Sequence, residues 1–338
     1  MNARILVTFL CLAWLGTGCI IVDGDCDSCE PTPTRSGNVT FLWSFDQKSC
    51  SGVGGFVKGV RITIPGEVLD SNGYYPCTAN AVDGITLHNF RPGSYSFTIE
   101  GYDADNAILF AKSGNFTVNG NITVRTDLAA TGAAPSEAFV SWRFPDNITC
   151  TQAGVPSVDV SIDGGAWTRL DCTAGSRALG KEVRSPRLTP GTHTLQLVAV
   201  GNDGNPRYYV SGTLTTTAYG SIDASYTLGE VGGLALRWDL LDGNLYKTCA
   251  QSTVTQVAVH LFDHAANKYV YGTTGDLHAC GDAPVVYRFL SPGQYTVYMY
   301  ATGPNGVRYH NEANPTTMQV YRFVQPQTST TIEMKRVQ

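Results

Sequence analysis

Leu290-Ser291-Pro292-Gly293-Gln294-Tyr295-Thr296-Val297 is the last of three copies of one stretch. Phe90-Arg91-Pro92-Gly93-Ser94-Tyr95-Ser96-Phe97 and Leu188-Thr189-Pro190-Gly191-Thr192-His193-Thr194-Leu195 are the others, and the copies stand roughly a hundred residues apart. Pro fixes φ near about −65° and Gly accepts a positive φ, so each pair predicts a tight turn. Residues beyond the turn alternate as an extended strand does: Tyr95, Phe97 and Ile99 lie on one side, Ser96, Thr98 and Glu100 on the other. Three turn-strand units of one design predict three domains.

Upstream of each turn the same signals recur. Phe41, Trp43 and Phe45 open the first unit at period-two spacing; Val140, Trp142 and Phe144 open the second, and Leu236, Trp238 and Leu240 the third. After each Trp comes a pair of cysteines: Cys50/Cys77, Cys150/Cys172 and Cys249/Cys280. One pair at the same place in each repeat predicts a structural disulfide, worth roughly 3–4 kcal/mol for loops of this size. A zinc site needs four ligands, and no repeat offers more than two cysteines. Second strands are expected over 57–64, 157–162 and 254–262, a short strand over 84–88, and hairpin turns at Asp103-Ala104-Asp105-Asn106, Asn202-Asp203-Gly204-Asn205 and Gly303-Pro304-Asn305-Gly306. No segment has helical periodicity. The expected fold class is all-β: three tandem antiparallel β-sandwich repeats, immunoglobulin-like or transthyretin-like, over 38–128, 137–228 and 234–338. Linkers are expected at 129–136 and 229–233, short enough to give a rod of three beads.

Of 338 residues, 43% are hydrophobic and 15% charged, the balance of a folded chain, and 36 glycines favour strands and turns. A formal net charge of −5 argues against nucleic acid as a partner. Beyond the N-terminus no stretch has the roughly 18 consecutive apolar residues of a membrane span.

The N-terminus reads as an export signal over 1–18: Arg4, the apolar run Ile5 to Leu15, then Gly16-Thr17-Gly18 before Cys19. This arrangement resembles the lipobox of bacterial lipoproteins, although Gly16 stands where that pattern has Leu. The resemblance implies cleavage before Cys19 and diacylation of its thiol, a stable membrane anchor. Ile20, where inner-membrane retention uses Asp, implies the bacterial outer membrane. A plain secretory signal, with Cys19 in a disulfide, is the alternative. Residues 19–37 then form a Pro/Thr/Asp-rich tether. Cys26 and Cys29 within it are read as a local or crosslinking disulfide rather than a redox pair, because no thioredoxin-like βαβ setting surrounds them. Asp23, Asp25 and Asp27 lack the Gly and Glu that a calcium loop requires.

The L-x-P-G-x-Y-x-V stretch resembles the turn-strand of carboxypeptidase regulatory-like (transthyretin-like, prealbumin-like) sandwiches, which implies a stalk or binding module without a particular ligand. His193 departs from it by replacing the Tyr. The Trp and the cysteine pair are not part of that pattern. An immunoglobulin assignment fits less well, since that fold places a Cys before its Trp.

Catalytic signatures are absent: no G-x-S-x-G, no H-E-x-x-H and no Walker loop. No cofactor is expected. His260 and His264, with His278 nearby, are the metal candidates, but Val257, Val259 and Leu261 alternate against them. Four residues of strand span about 13 Å, too far for one zinc ion, so no metal is expected. Asp103, Asp105 and Glu312 would make a hydrolase only if a cleft between repeats brought them together. Tyrosine is the more informative residue: nine of 17 fall between Tyr246 and Tyr321. Tyr298 and Tyr300 should face outward where the first repeat has Thr98 and Glu100, and Tyr269 and Tyr271 should share a face of another strand. Outward aromatic pairs stack on sugar rings or anchor protein interfaces. The expectation is therefore a non-enzymatic envelope lipoprotein that binds a protein or glycan at the cell surface, with a periplasmic spacer, and then an enzyme's accessory module, as alternatives.

Overall fold

The computed structural model describes residues 35–337; the export segment, Cys19 and the Cys26/Cys29 pair lie outside them. Strands dominate, and they close around three apolar clusters, one for each repeat. The opening strands are Gly37–Phe45, Glu137–Arg143 and Gly232–Asp242. Their alternate residues are the centres of the cores: Val39, Phe41, Trp43 and Phe45 are buried in the first unit, Val140, Trp142 and Phe144 in the second, Leu236, Trp238 and Leu240 in the third.

One sheet of each unit forms on that strand. On one edge it pairs antiparallel with the strand before the Pro-Gly turn, as in Phe41↔Ile85, Val140↔Val183 and Leu236↔Val285. On its other edge lies the last strand of the unit, and this pair is parallel: Phe41↔Val124, Val140↔Ala224, Trp238↔Ile332. The sequence expectation of purely antiparallel sheets is corrected here. The last strand returns from the opposite sheet and so enters from the end at which the first began. A unit built this way takes the chain in at one end and releases it at the other.

The opposite sheet holds the second strand, the post-turn strand and its hairpin partner. Ile62 faces Ile99, Val160 faces Leu197 and Val259 faces Met299, equivalent inward pairs of the three units. Asn106, Gly204 and Gly306 take positive φ in the three hairpin turns. At the Pro-Gly bend, Gly93 and Gly191 have φ of +152° and +146°, while Gly293 is not among the positive-φ glycines, so the third copy turns without that conformation. The third residue after Pro bonds back across the bend in all three. The hydroxyls of Tyr95 and Tyr295 donate to the carbonyls of Arg91 and Ser291 at 3.0 and 2.8 Å, and His193 Nε2 meets Thr189 O at 2.7 Å.

All three repeat disulfides are formed, with Cα separations of 5.9, 6.0 and 5.9 Å. Each has a partner that the sequence does not announce. The indole N–H of Trp43, Trp142 and Trp238 donates to the carbonyl of Cys77, Cys172 and Cys280 at 2.9, 2.9 and 3.0 Å. A buried indole needs an acceptor, and the disulfide-bonded cysteine supplies one at the N–H edge of the ring. Two one-turn α-helices, Cys150–Ala153 and Cys249–Ser252, correct the expectation of no helix. Each opens with a capping box, Thr149 with Gln152 and Thr248 with Gln251, which ties the first orphan N–H groups to side chains.

The segment 229–233, read as a linker, is strand for most of its length: Gly229–Glu230 pairs with Tyr208 and Tyr209 of the middle unit, and Gly232 begins the third. Aromatic contacts fill both junctions. Tyr219 of the second unit stacks on Phe110 of the first at 5.6 Å, and Tyr209 stacks on Phe289 of the third at 4.5 Å.

Candidate binding face

In the third unit the post-turn strand Gly293–Thr302 buries Tyr295, Val297 and Met299. Period two then sends Tyr298 and Tyr300 to the outer face, where both are half-buried. The neighbouring strand Gln256–Asp263 sets His260 opposite Tyr298 and Ala258 opposite Tyr300. After a turn at 264–267 the chain doubles back as Lys268–Tyr269, placing Tyr269 opposite Phe262 and leaving it exposed. His310 is added from the far side, paired with Tyr300.

His260 is the centre of this array. Its ring stands edge-on to Tyr300 at 5.2 Å and to Tyr269 at 5.8 Å. Phe262 meets Tyr269 at 5.3 Å, Tyr298 meets Tyr269 at 6.4 Å, and His310 lies 6.0 Å from Tyr300. Mutually edge-on rings lock one another and leave their outer edges and faces for a ligand. Gly275 is necessary on the near side of His260. Its φ is +69°, and a Cβ there would come within 2.7 Å of His260 Nε2. Burial among rings pushes the His260 imidazole down in pKa, which keeps it neutral. Burial, then the charge of Glu312, raises the Tyr300 phenol, so it stays a hydroxyl donor.

Tyr271 does not join the face; here the expectation is corrected. The short strand ends at Tyr269, Gly272 takes φ of +68°, and period two lapses in the turn. Tyr271 instead packs on Tyr287 at 5.5 Å, and burial beside Asp276 raises its phenol to about 12. The histidines do not converge either. His264 Nε2 meets Thr296 Oγ1 at 2.8 Å, and His278 Nε2 meets Asp276 Oδ2 at 2.9 Å. Among the described residues no group of three His, Cys, Asp or Glu side chains is arranged to hold a metal ion. Asp103 and Asp105 share one hairpin with Arg187 beside them, whereas Glu312 stands by His310 in the third unit. Sequence reasoning missed Phe262 and His310 as members of the array, because strand register, not local pattern, brings them to it.

No family model and no curated protein matches the chain. Solved structures overlap it at low similarity. A minor pilin of Streptococcus agalactiae is 12% identical over 60% of this chain and 97% of its own, with a TM-score of 0.25. A streptococcal ancillary pilin is 9% identical over 90% and 99%, at 0.24. The Bacillus anthracis TIE protein is 12% identical over 89% of this chain at 0.22, and the chain spans 51% of that protein's length. Overlaps at this level say nothing about a ligand.

Proposed function

We propose that the chain is a non-enzymatic envelope protein that binds a glycan through the outer aromatic face of its third unit. The observation that carries this reading is the array of Tyr269, Tyr298 and Tyr300 around His260 on one strand surface. A sugar ring stacks its C–H face on such rings, and the phenol hydroxyls with Glu312 provide hydrogen-bonding partners around it. In this reading each unit is a binding or stalk module of the carboxypeptidase regulatory-like kind, and Cys19 carries the lipid that anchors the rod to the bacterial outer membrane. The test is a glycan array probed with the purified chain, followed by the Tyr298→Ala/Tyr300→Ala variant. Loss of about tenfold or more in affinity is expected, because central aromatic anchors carry upward of about 2 kcal/mol. Unchanged binding in a folded double variant discards the face; a protein partner that binds through these residues instead of a glycan replaces the ligand class. Protease treatment of intact cells, with Cys19→Ala alongside, tests the anchor: the body should be digested, and the variant should be released into the soluble fraction.

A periplasmic spacer is the second reading, favoured by the entry and exit of the chain at opposite ends of each unit and by the aromatic packing at both junctions.

A further inference from the structure

The three units differ at one place in their cores. Two residues before the second cysteine, the first unit has Tyr75, the second Leu170 and the third His278. Across the gap between the sheets, paired with the start of the opening strand, the first unit has Leu87 against Val39 and the third has Tyr287 against Leu234. The second has Ser185 against Ala138, the two joined by Ser185 N–H to Ala138 O at 2.8 Å. In the third unit the rings meet: His278 Nε2 lies 3.2 Å from the Tyr287 hydroxyl, and Tyr271 lies over Tyr287. In the first unit Tyr75 and Leu87 are both buried. Where rings fill the other two units, the middle unit has a Leu and two small residues.

A cavity of about 620 Å³ results, walled by Val160, Ile162, Leu170, Val183 and Leu188 over the Trp142 ring. The wall residues are only partly buried. Their equivalents on the second strand, Ile62 in the first unit and Val259 and Leu261 in the third, are sealed at 1%, 0% and 0% exposure. An apolar cavity of about 150 Å³ already stays dry and takes up benzene, and small-molecule sites run from about 300 to 1,000 Å³. The polar side chains of the lining are few, and most are already partnered: Asp163 is bound to His193, Arg184 to Glu137, and the Ser185 hydroxyl donates to the Pro186 carbonyl.

We propose that this cavity in the middle unit is a binding site for an aromatic ring. The sister units identify the class, because they place their own aromatic side chains in the equivalent space. The ring can come from a free aromatic molecule or from an aromatic side chain of a partner peptide. The edge strand Thr168–Asp171, which pairs on one side only, runs along the opening and offers backbone groups to the second kind.

The test uses the purified full chain and two probes, indole and a pentapeptide with one central Trp between valines, titrated by ligand-observed NMR. Saturable binding is expected for at least one probe, weakened about tenfold or more by Ser185→Tyr, which installs the ring of the third unit. A pentapeptide about tenfold or more tighter than indole assigns the source to a partner chain; equal or weaker binding assigns it to a free molecule. Far-UV circular dichroism confirms that the variant is folded, and Val183→Phe replaces it if it is not. Three outcomes overturn the proposal: saturable binding of neither probe, binding undiminished in the filled variant, or binding that emerges only in Trp167→Ala. The last would mean that Trp167, half-exposed on the hairpin at the mouth, occupies the cavity itself.

Discussion

His193 shows how one side chain can be replaced without losing its contact. Tyr95 and Tyr295 close their Pro-Gly bends with a neutral hydroxyl, and His193 makes the same bond with a ring nitrogen. Its other nitrogen, Nδ1, lies 2.7 Å from Asp163 Oδ2. Both nitrogens face oxygen acceptors, an arrangement that favours a proton on each and so the imidazolium form. The Asp163 carboxylate first, and then the Thr189 carbonyl, raise the His193 pKa above its ordinary 6.5, against the opposing effect of burial. Asp163 is held below its ordinary 3.8 by the same bond and by the Thr194 N–H. A raised histidine stabilises fully below its unfolded pKa, and that contribution disappears as pH rises through the folded value. A lowered carboxylate stabilises above its unfolded pKa and loses its contribution as pH falls through the folded one. The middle unit should therefore be most stable between about pH 4 and 6.5 and weaken on the alkaline side. His193→Tyr, the residue of the sister units, should remove the alkaline slope in calorimetry. Nitrogen-15 NMR of the ring should show both sites protonated at about pH 6; a neutral tautomer there would end the account.

Among the elements, the opening strand and the disulfide below it form one device, repeated three times. Trp142 fills the core, and its N–H is satisfied because the Cys150–Cys172 bridge holds the Cys172 carbonyl at the N–H edge of the ring. Replacing both cysteines with Ser should cost the middle unit about 2–5 kcal/mol. Trp142→Phe forfeits one hydrogen bond and orphans a buried carbonyl, about 1–3 kcal/mol before the packing loss. The two changes share Cys172, so their combined cost in chemical denaturation should be less than the sum. Strict additivity would show that the indole bond is independent of the bridge. The sequence carries part of this device openly: period two assigns the inward triplets, and cysteine spacing assigns the pairs. The indole bond is hidden because it joins residues 30 to 42 positions apart, and the parallel first-to-last pairing because nothing local encodes it. The capping boxes were there to be read at Thr149-Cys150-Thr151-Gln152 and Thr248-Cys249-Ala250-Gln251, but a helix of one turn has no periodicity to find. Of the tyrosine face, Tyr298 and Tyr300 come directly from alternation along one strand. Tyr271 does not, because alternation stops where the turn begins at Val270.

At the scale of the whole molecule, the junctions decide how far the three units can move against one another. The first junction is built around Tyr219. Its ring stacks on Phe110, the Lys48 ammonium lies 4.9 Å from its centroid, and it is buried with the core of the first unit. Its backbone is held as closely: Gly54 has φ of +63°, and a Cβ there would collide with the Tyr219 carbonyl oxygen. Domain contacts inside one chain are mobile unless they are apolar and well packed, and here a single ring supplies much of that packing. Tyr219→Ala removes the stacking and the cation–π contact while leaving the hydrogen-bonded strands of both units in place. The units should keep their own unfolding transitions, the largest dimension from small-angle scattering should broaden, and protease should cut faster within residues 131–134, which lie in no strand. Gly54→Ala reaches the same contact from the other side and should do the same, because a backbone oxygen cannot yield to a methyl group. If both variants keep the wild-type scattering profile and cleavage rate, Tyr219 does not hold the junction, and Arg187 with Asp103 and Asp105, together with the strands flanking 131–134, must set the angle between the first two units.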